Sequence, residues 1–264
     1  MRVVDLDRDM RDVIPTSTSP DSDYLFEQMT HRTLDRARGA PGRRVLDVAS
    51  GFGQDARAVA ASGALVVAAE PSARMSALAR LQDAQATGPQ PHHIRGWADG
   101  LPFASGSFDA VFCKGALDHF DTPAEAIAEM ARVTRRDGRV VLAIANFDSL
   151  SCRVARAVDT YSERFAGRPV PRGRRHYDVP HDHFTRYDLD LMREQAEESL
   201  VLDLVEGVSL GWGLPRWSRL ARRLPAWLTQ RALEAFDAVA RHWPAGADVV
   251  VLAGRPRRSS SSSA

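Results

Sequence analysis

Lysine is almost missing from this chain of 264 residues: Lys114 stands alone, and every other permanent cation is an arginine. A preference that spans the whole chain reads as a codon habit of the genome, so a local run of arginines is not by itself a recognition surface. Cysteine is nearly as scarce. Cys113 and Cys152 lie in contexts with neither paired-cysteine nor metal-finger spacing, which argues against a disulfide framework and leaves two reduced thiols. No stretch approaches the roughly 18 to 20 uninterrupted apolar residues of a membrane-spanning helix, and the start MRVVDLDRDMRDVIP has no apolar secretory core. The expected compartment is therefore the cytoplasm, with no stable membrane insertion. Excess charge is lacking too: a formal net charge of +1 gives no global reason to expect a nucleic-acid or membrane partner. No internal repeat is evident.

What is present is a hydrophobic content of 44%, enough for one substantial α/β domain with insertions. From about Arg43 the apolar period switches repeatedly between that of buried strands and that of helices, the pattern of a largely parallel sheet covered by helices on both faces. The strands are expected at Val45 to Ser50, Ala64 to Glu70, near HHIRG, Phe108 to Lys114, Arg139 to Ala145, VLDLVEGV, and Ala247 to Gly254, the last of these antiparallel. Helices fall at Gln54 to Ser62 and Ser72 to Ala86. Another begins at Thr122 with Pro123 in its first turn and Glu125 completing a capping box, and RRDG turns the chain into the fifth strand. Leu189, Met192 and Ala196 share one face of a later helix. A flexible start over residues 1–20, a domain over 21–254 and a Ser-rich tail over 255–264 complete the plan. Insertions at about 146–187 and 209–246 are too long for simple connections, and such excursions usually carry function.

VLDVASGFG places Gly51 and Gly53 directly after a buried strand and before a helix, where the lack of a side chain lets a ligand approach the backbone. Gly51-x-Gly53-x-x-Ala56 also satisfies the dinucleotide fingerprint, and Glu70 at the end of the second strand suits a ribose hydroxyl pair in either case, so a nicotinamide cofactor stays open here. The wider run, about Arg43 to Asn146, resembles class I S-adenosylmethionine-dependent methyltransferases of the small-molecule type, typified by the enzymes of ubiquinone and menaquinone biosynthesis. The family's first motif is matched by Asp47, Gly51 and Gly53, with Ala49 in place of its first glycine. Its Leu-Pro-Phe followed by Ser-Phe-Asp appears as LPFASGSFDAVFC, and the end of its following helix as RVTRRDGRV.

The resemblance implies a Rossmann-like fold, with S-adenosylmethionine as cofactor. It puts Asp47 near the methionine amino group, the turn Ala49, Ser50, Gly51 to Gly53 against methionine and ribose, and Glu70, followed by Pro71, on the ribose hydroxyls. Trp97 stands where relatives carry an acid or amide, so the adenine contacts are expected from Trp97, the Ala98 backbone and Asp99. Lys114 and Gly115, running on to Leu117, would line the floor of the site. The N-terminal helix near Tyr24 to Ala37 would close over the cofactor.

Methyl transfer from a sulfonium needs orientation, desolvation and, for a hydroxyl acceptor, a base. His119, next to Asp118 in GALDHF, is the first candidate base, because an imidazole pKa of about 6.5 suits proton abstraction at neutral pH. His183 is the second, within HYDVPHDHFTRYD, which also carries His176, Tyr177, His181, Asp182 and Tyr187. The pair His181-x-His183 flanked by Asp178 and Asp182 has the residue types of a metal site, but a loop fixes no ligand geometry and no metal is expected. The segment from Trp212 to Trp243, rich in tryptophan, leucine and arginine at helical spacing, reads as helices packed on the domain, as a lid, as a homodimer contact, or as an amphipathic surface for a lipid-like substrate. The expected function is O-, N- or C-methylation of a small molecule. A non-methylating S-adenosylmethionine-binding protein and a nicotinamide-dependent oxidoreductase remain as alternatives.

Overall fold

The computed structural model describes residues 19–167, 177–178 and 185–257. Its strands are β1 (Arg44–Val48), β2 (Leu65–Ala69), β3 (His92–Ile94), β4 (Phe108–Lys114), β5 (Thr134–Ala145), β6 (Leu200–Val208) and β7 (Val249–Pro256). Its helices are α1 (Pro20–Ala37), α2 (Gln54–Ala60), α3 (Ala73–Asp83), α4 (Pro123–Val133), α5 (Leu150–Ala166), α6 (Leu189–Ser199), α7 (Trp217–Ala221) and α8 (Ala226–His242). The strands form one sheet in the order β3-β2-β1-β4-β5-β7-β6. β7 runs antiparallel to both its neighbours, while β1 to β5 pair in parallel.

The continuous apolar runs of β4, β5 and β7 are buried on both faces, as strands between two helical layers must be. Leu46, Val111, Leu142 and Leu252 cluster with Met130 of α4 and Met192 of α6. Val45, Phe112, Val141 and Val251, which alternate with them along the same strands, cluster with Met29 of α1 and Val59 of α2. From β1 the chain steps outward through β2 to β3, then returns to place β4 on the other side of β1. That reversal leaves a crevice at the carboxyl ends of β1 and β4, the place where open α/β sheets bind ligands.

Several local expectations are corrected. Thr122 does occupy the N-cap of α4, but its hydroxyl makes no cap bond. It donates instead to Asp99 Oδ2 at 3.1 Å, so a link across the crevice replaces the capping box. RRDG turns the chain inside β5 rather than before it: β5 already begins at Thr134, and pairing with β4 jumps from Phe108↔Thr134 to Ala110↔Arg139, five residues against two, so the segment is a tight excursion within the strand. β7 continues through Arg255 and Pro256, and the Arg257 guanidinium donates to the carbonyls of Glu197 and Leu200, so residues 255–257 are part of the fold. The first insertion contains α5 and the second α7 and α8. Among the described residues no helix is long and apolar enough to cross a membrane.

Candidate active site

The turn after β1 is built around backbone that L-residues avoid. Ala49, Gly51 and Gly53 have φ of 57°, 54° and 76°. At Gly53 a Cβ would stand 3.0 Å from the His93 ring and 3.2 Å from the Arg57 guanidinium, so the close approach as well as the dihedral requires glycine there. Ala49 adopts the same left-handed conformation with a methyl group attached, which accounts physically for the family's preference for glycine at this position. Glu70, at the end of β2 and 8% exposed, holds the turn in place. Its carboxylate accepts from the Gly51 N–H at 2.8 Å and from the Ser72 N–H at 2.9 Å. Pro71 between them is fixed by the Arg95 guanidinium, which donates to its carbonyl at 2.8 Å.

Asp47 lies at the crevice end of β1 and is 3% exposed. The Ala56 backbone N–H donates to its carboxyl, yet Oδ2 has no hydrogen-bond partner among the described residues, and the same is true of Ser50 Oγ and Asp55 Oδ1. Burial pushes the Asp47 pKa well above the usual carboxylate range, the nearby Asp55 and Glu70 add to the rise, and Lys114 opposes it. A buried carboxyl oxygen without a partner is costly, and an ammonium group is the ligand that best relieves that cost. The donor set therefore fits the amino acid end of S-adenosylmethionine. Lys114, at the end of β4, bonds to Thr30 Oγ1 of α1 at 2.6 Å and pairs with Asp55 Oδ2 at 2.6 Å. Its neighbour Gly115 has φ 64° and is exposed, and a Cβ on it would meet Met29 of α1 at 3.4 Å. The N-terminal helix thus lies directly against the floor segment.

Trp97, Ala98 and Asp99 follow β3 and are each half-buried on the side of the crevice that leads to α4. His119 ends a single 3-10 turn (Leu117–His119) beyond β4 and is exposed, while Asp118 beside it is buried. Tyr187 belongs to the core rather than to an acceptor pocket: it is 1% exposed, and its hydroxyl donates to Gln195 Oε1 at 2.6 Å. Tyr177 donates to Asp159 of α5 at 2.6 Å. His176, His181, Asp182 and His183 lie outside the described residues. Among the described residues no cluster of three or more His, Cys, Asp and Glu side chains is placed to hold a metal ion.

Three features escaped the sequence reading. Thr30 and Asp55, which hold Lys114, belong to elements distant from it in the chain. Arg57 donates to the Phe52 carbonyl at 2.9 Å and to Asp83 at 3.0 Å, and Asp83 also meets His93 Nε2 at 2.6 Å, so three elements brace the glycine turn from beneath. At the start of β7, buried Asp248 accepts from Ser151 Oγ of α5 at 2.6 Å and from the Trp212 N–H at 3.0 Å. Trp212 Nε1 donates in turn to Ser22 of α1 at 3.0 Å. The acids in these clusters are not spaced as motifs, and only the fold brings them together.

The sequence pattern of the family described as "Methyltransferase domain" matches residues 46–142. A demethylmenaquinone methyltransferase of Renibacterium salmoninarum is 40% identical over 126 residues, which cover 46% of this chain and 51% of that one, so the alignment spans about half of that relative. The demethylmenaquinone methyltransferase of a Mycobacterium species (strain KMS) is 32% identical over 180 residues, covering 68% of this chain and 72% of the relative. Among solved structures, the YcgJ protein of Bacillus subtilis superposes with a TM-score of 0.57 at 17% identity, covering 88% of this chain and 99% of that one, which is agreement in fold. The open Asp47 oxygen at the crevice fits the cofactor these motifs implied, and the extent of the mycobacterial match sets aside the nicotinamide alternative: the chain belongs to the family of S-adenosylmethionine-dependent methyltransferases.

Proposed function

We propose that the protein methylates a small-molecule acceptor bound at the carboxyl edge of the sheet, beyond β4. The observation that carries this reading is the buried, unpartnered Asp47 Oδ2 at the point where β1 and β4 diverge. In this reading Asp47 receives the cofactor's ammonium, the Ala49–Gly53 turn lies against its methionine and ribose, Glu70 takes the ribose hydroxyls, and Trp97, Ala98 and Asp99 surround the adenine. Pro71 and the Lys114–Gly115 segment complete the wall. S-adenosylmethionine supplies an electrophilic methyl group on a sulfonium, so the chain has to bind, orient and desolvate, and for a hydroxyl acceptor to take one proton. His119 is the proposed base, exposed at the same edge, and His183 is the second candidate. The relatives' names point to a ring of the demethylmenaquinone kind as the acceptor class. Both cysteines are buried free thiols, which suits a reducing compartment, the cytoplasm.

Calorimetric titration with S-adenosylmethionine and S-adenosylhomocysteine tests the cofactor half. Saturable binding of both is expected, and the absence of either at millimolar concentration refutes it. For the acceptor half, His119→Ala should keep S-adenosylhomocysteine affinity and lose about a hundredfold or more in turnover of a hydroxyl acceptor, the range typical of a general base. Unchanged turnover removes His119 from the reaction.

A further inference from the structure

Between Gly207 and Leu233 the chain carries five arginines, Arg216, Arg219, Arg222, Arg223 and Arg231, and no acid, although acids make up 34 of its 264 residues. The use of arginine in place of lysine throughout the chain explains the kind of cation but not the missing acids. The structure gathers this stretch into α7, the loop after it and the first turns of α8. All five arginines are exposed, and Arg216, Arg219, Arg223 and Arg231 form no ion pair among the described residues. Interleaved with them stand Leu220 at 50% exposure, Trp227 at 63% and Leu228 at 39%. The Arg231 guanidinium lies 5.9 Å from the centre of the Trp227 ring.

These apolar groups are not needed to hold the helices. Ala221, Thr229 and Leu233 are buried and make the inward face. Thr229 Oγ1 donates to the Ala221 carbonyl at 3.0 Å, and Ser218 Oγ donates to Asp21 Oδ2 of α1 at 2.8 Å. The scaffold is therefore satisfied while the outward surface of α7 and the start of α8 presents cations and a tryptophan together, with the exposed acids Asp23 and Glu27 of α1 confined to the groove on the Arg222 side. Duplex nucleic acid would use the arginines and leave the leucines in water. An anionic bilayer uses both, with headgroup phosphates for the guanidinium groups and the headgroup–acyl boundary for the indole and the leucines.

We propose that this end of the molecule docks reversibly on an anionic lipid bilayer, with Leu220, Trp227 and Leu228 entering the boundary while Arg216, Arg219, Arg223 and Arg231 meet lipid phosphates. α1 joins this surface to the cofactor crevice, because the helix that receives Ser218 at Asp21 also bonds to Lys114 through Thr30. The docking does not depend on the acceptor being a lipid.

Co-sedimentation of the purified full chain with vesicles is the test, using phosphatidylcholine alone against an equimolar mixture with phosphatidylglycerol. The chain should partition onto the mixed vesicles, stay in solution with the zwitterionic ones, and release as salt is raised. The double variant Arg219→Glu/Arg223→Glu should partition at least about tenfold more weakly with S-adenosylhomocysteine affinity unchanged. Trp227→Ser should weaken partition at every salt concentration. Equal partition onto both vesicle types, none onto either, wild-type partition by either variant, or tighter binding to a DNA duplex than to the mixed vesicles overturns the proposal.

Discussion

At Asp47 the protein buries a carboxyl group and leaves one of its oxygens without a partner, an arrangement that favours the protonated form until a cation arrives. Binding an ammonium there must expel that proton. Affinity for S-adenosylhomocysteine should therefore rise with pH across the range in which Asp47 ionises, and calorimetry in buffers of different ionisation enthalpy should register the release. Asp47→Asn should bind about 10- to 150-fold more weakly, the cost of about 1.5 to 3 kcal/mol for losing a bond to a charged group, and its affinity should no longer carry this pH dependence. At Ala49 the strain is of a different kind. A left-handed alanine costs about 1 kcal/mol relative to glycine, so Ala49→Gly should raise the unfolding free energy by about that amount in urea titration. Asp47, Glu70 and the glycines were legible in the sequence because the turn that unites them is short and its chemistry local. Thr30 was not, because its bond to Lys114 joins residues 84 apart and neither lies in a local pattern.

Among the elements, the strands were readable where burial is continuous, and β4 has the bounds its sequence suggests. Periodicity failed at α5 over which face is buried: the apolar stripe of Val154, Val158, Tyr161 and Phe165 has helical spacing but faces outward, while Ser151, Cys152 and Ala155 face in. It failed at α4 in a subtler way: Thr122 has the residue type and the place of a cap, but Asp99 competes for its hydroxyl. The junction of α5, the β6–α7 loop and β7 carries a consequence of its own. Burial raises the Asp248 pKa from 3.8 to about 7, against hydrogen bonds from Ser151 and Trp212 that lower it. The folded protein thus keeps a proton between those values that the unfolded chain has lost. Its contribution to stability is full below about pH 4, declines by up to about 1.4 kcal/mol per pH unit as pH rises to about 7, and is lost above that. Urea unfolding at a series of pH values should show the stability of the wild type relative to Asp248→Asn falling over that window.

For the molecule as a whole, a ligand that binds only the folded state stabilises it by mass action. S-adenosylhomocysteine at a hundred times its dissociation constant should contribute about 2.7 kcal/mol, roughly 5 to 10 °C in melting temperature for a chain of this size, while NADH should leave the melting curve in place. Alternation of strands and helices made the α/β class legible, yet apolar period alone does not say that β4 returns to the far side of β1; the ordered motifs from Asp47 to Arg139 carried that information through their resemblance to a family. The position of Lys114 at this reversal has a practical side. The chain holds a single side-chain amine, and it stands in the crevice against Asp55 and Thr30. An amine-selective acylating reagent is therefore a site-directed label for this protein: beyond the α-amino group, one mass increment should appear, located by peptide mapping at Lys114, and S-adenosylhomocysteine should slow its appearance.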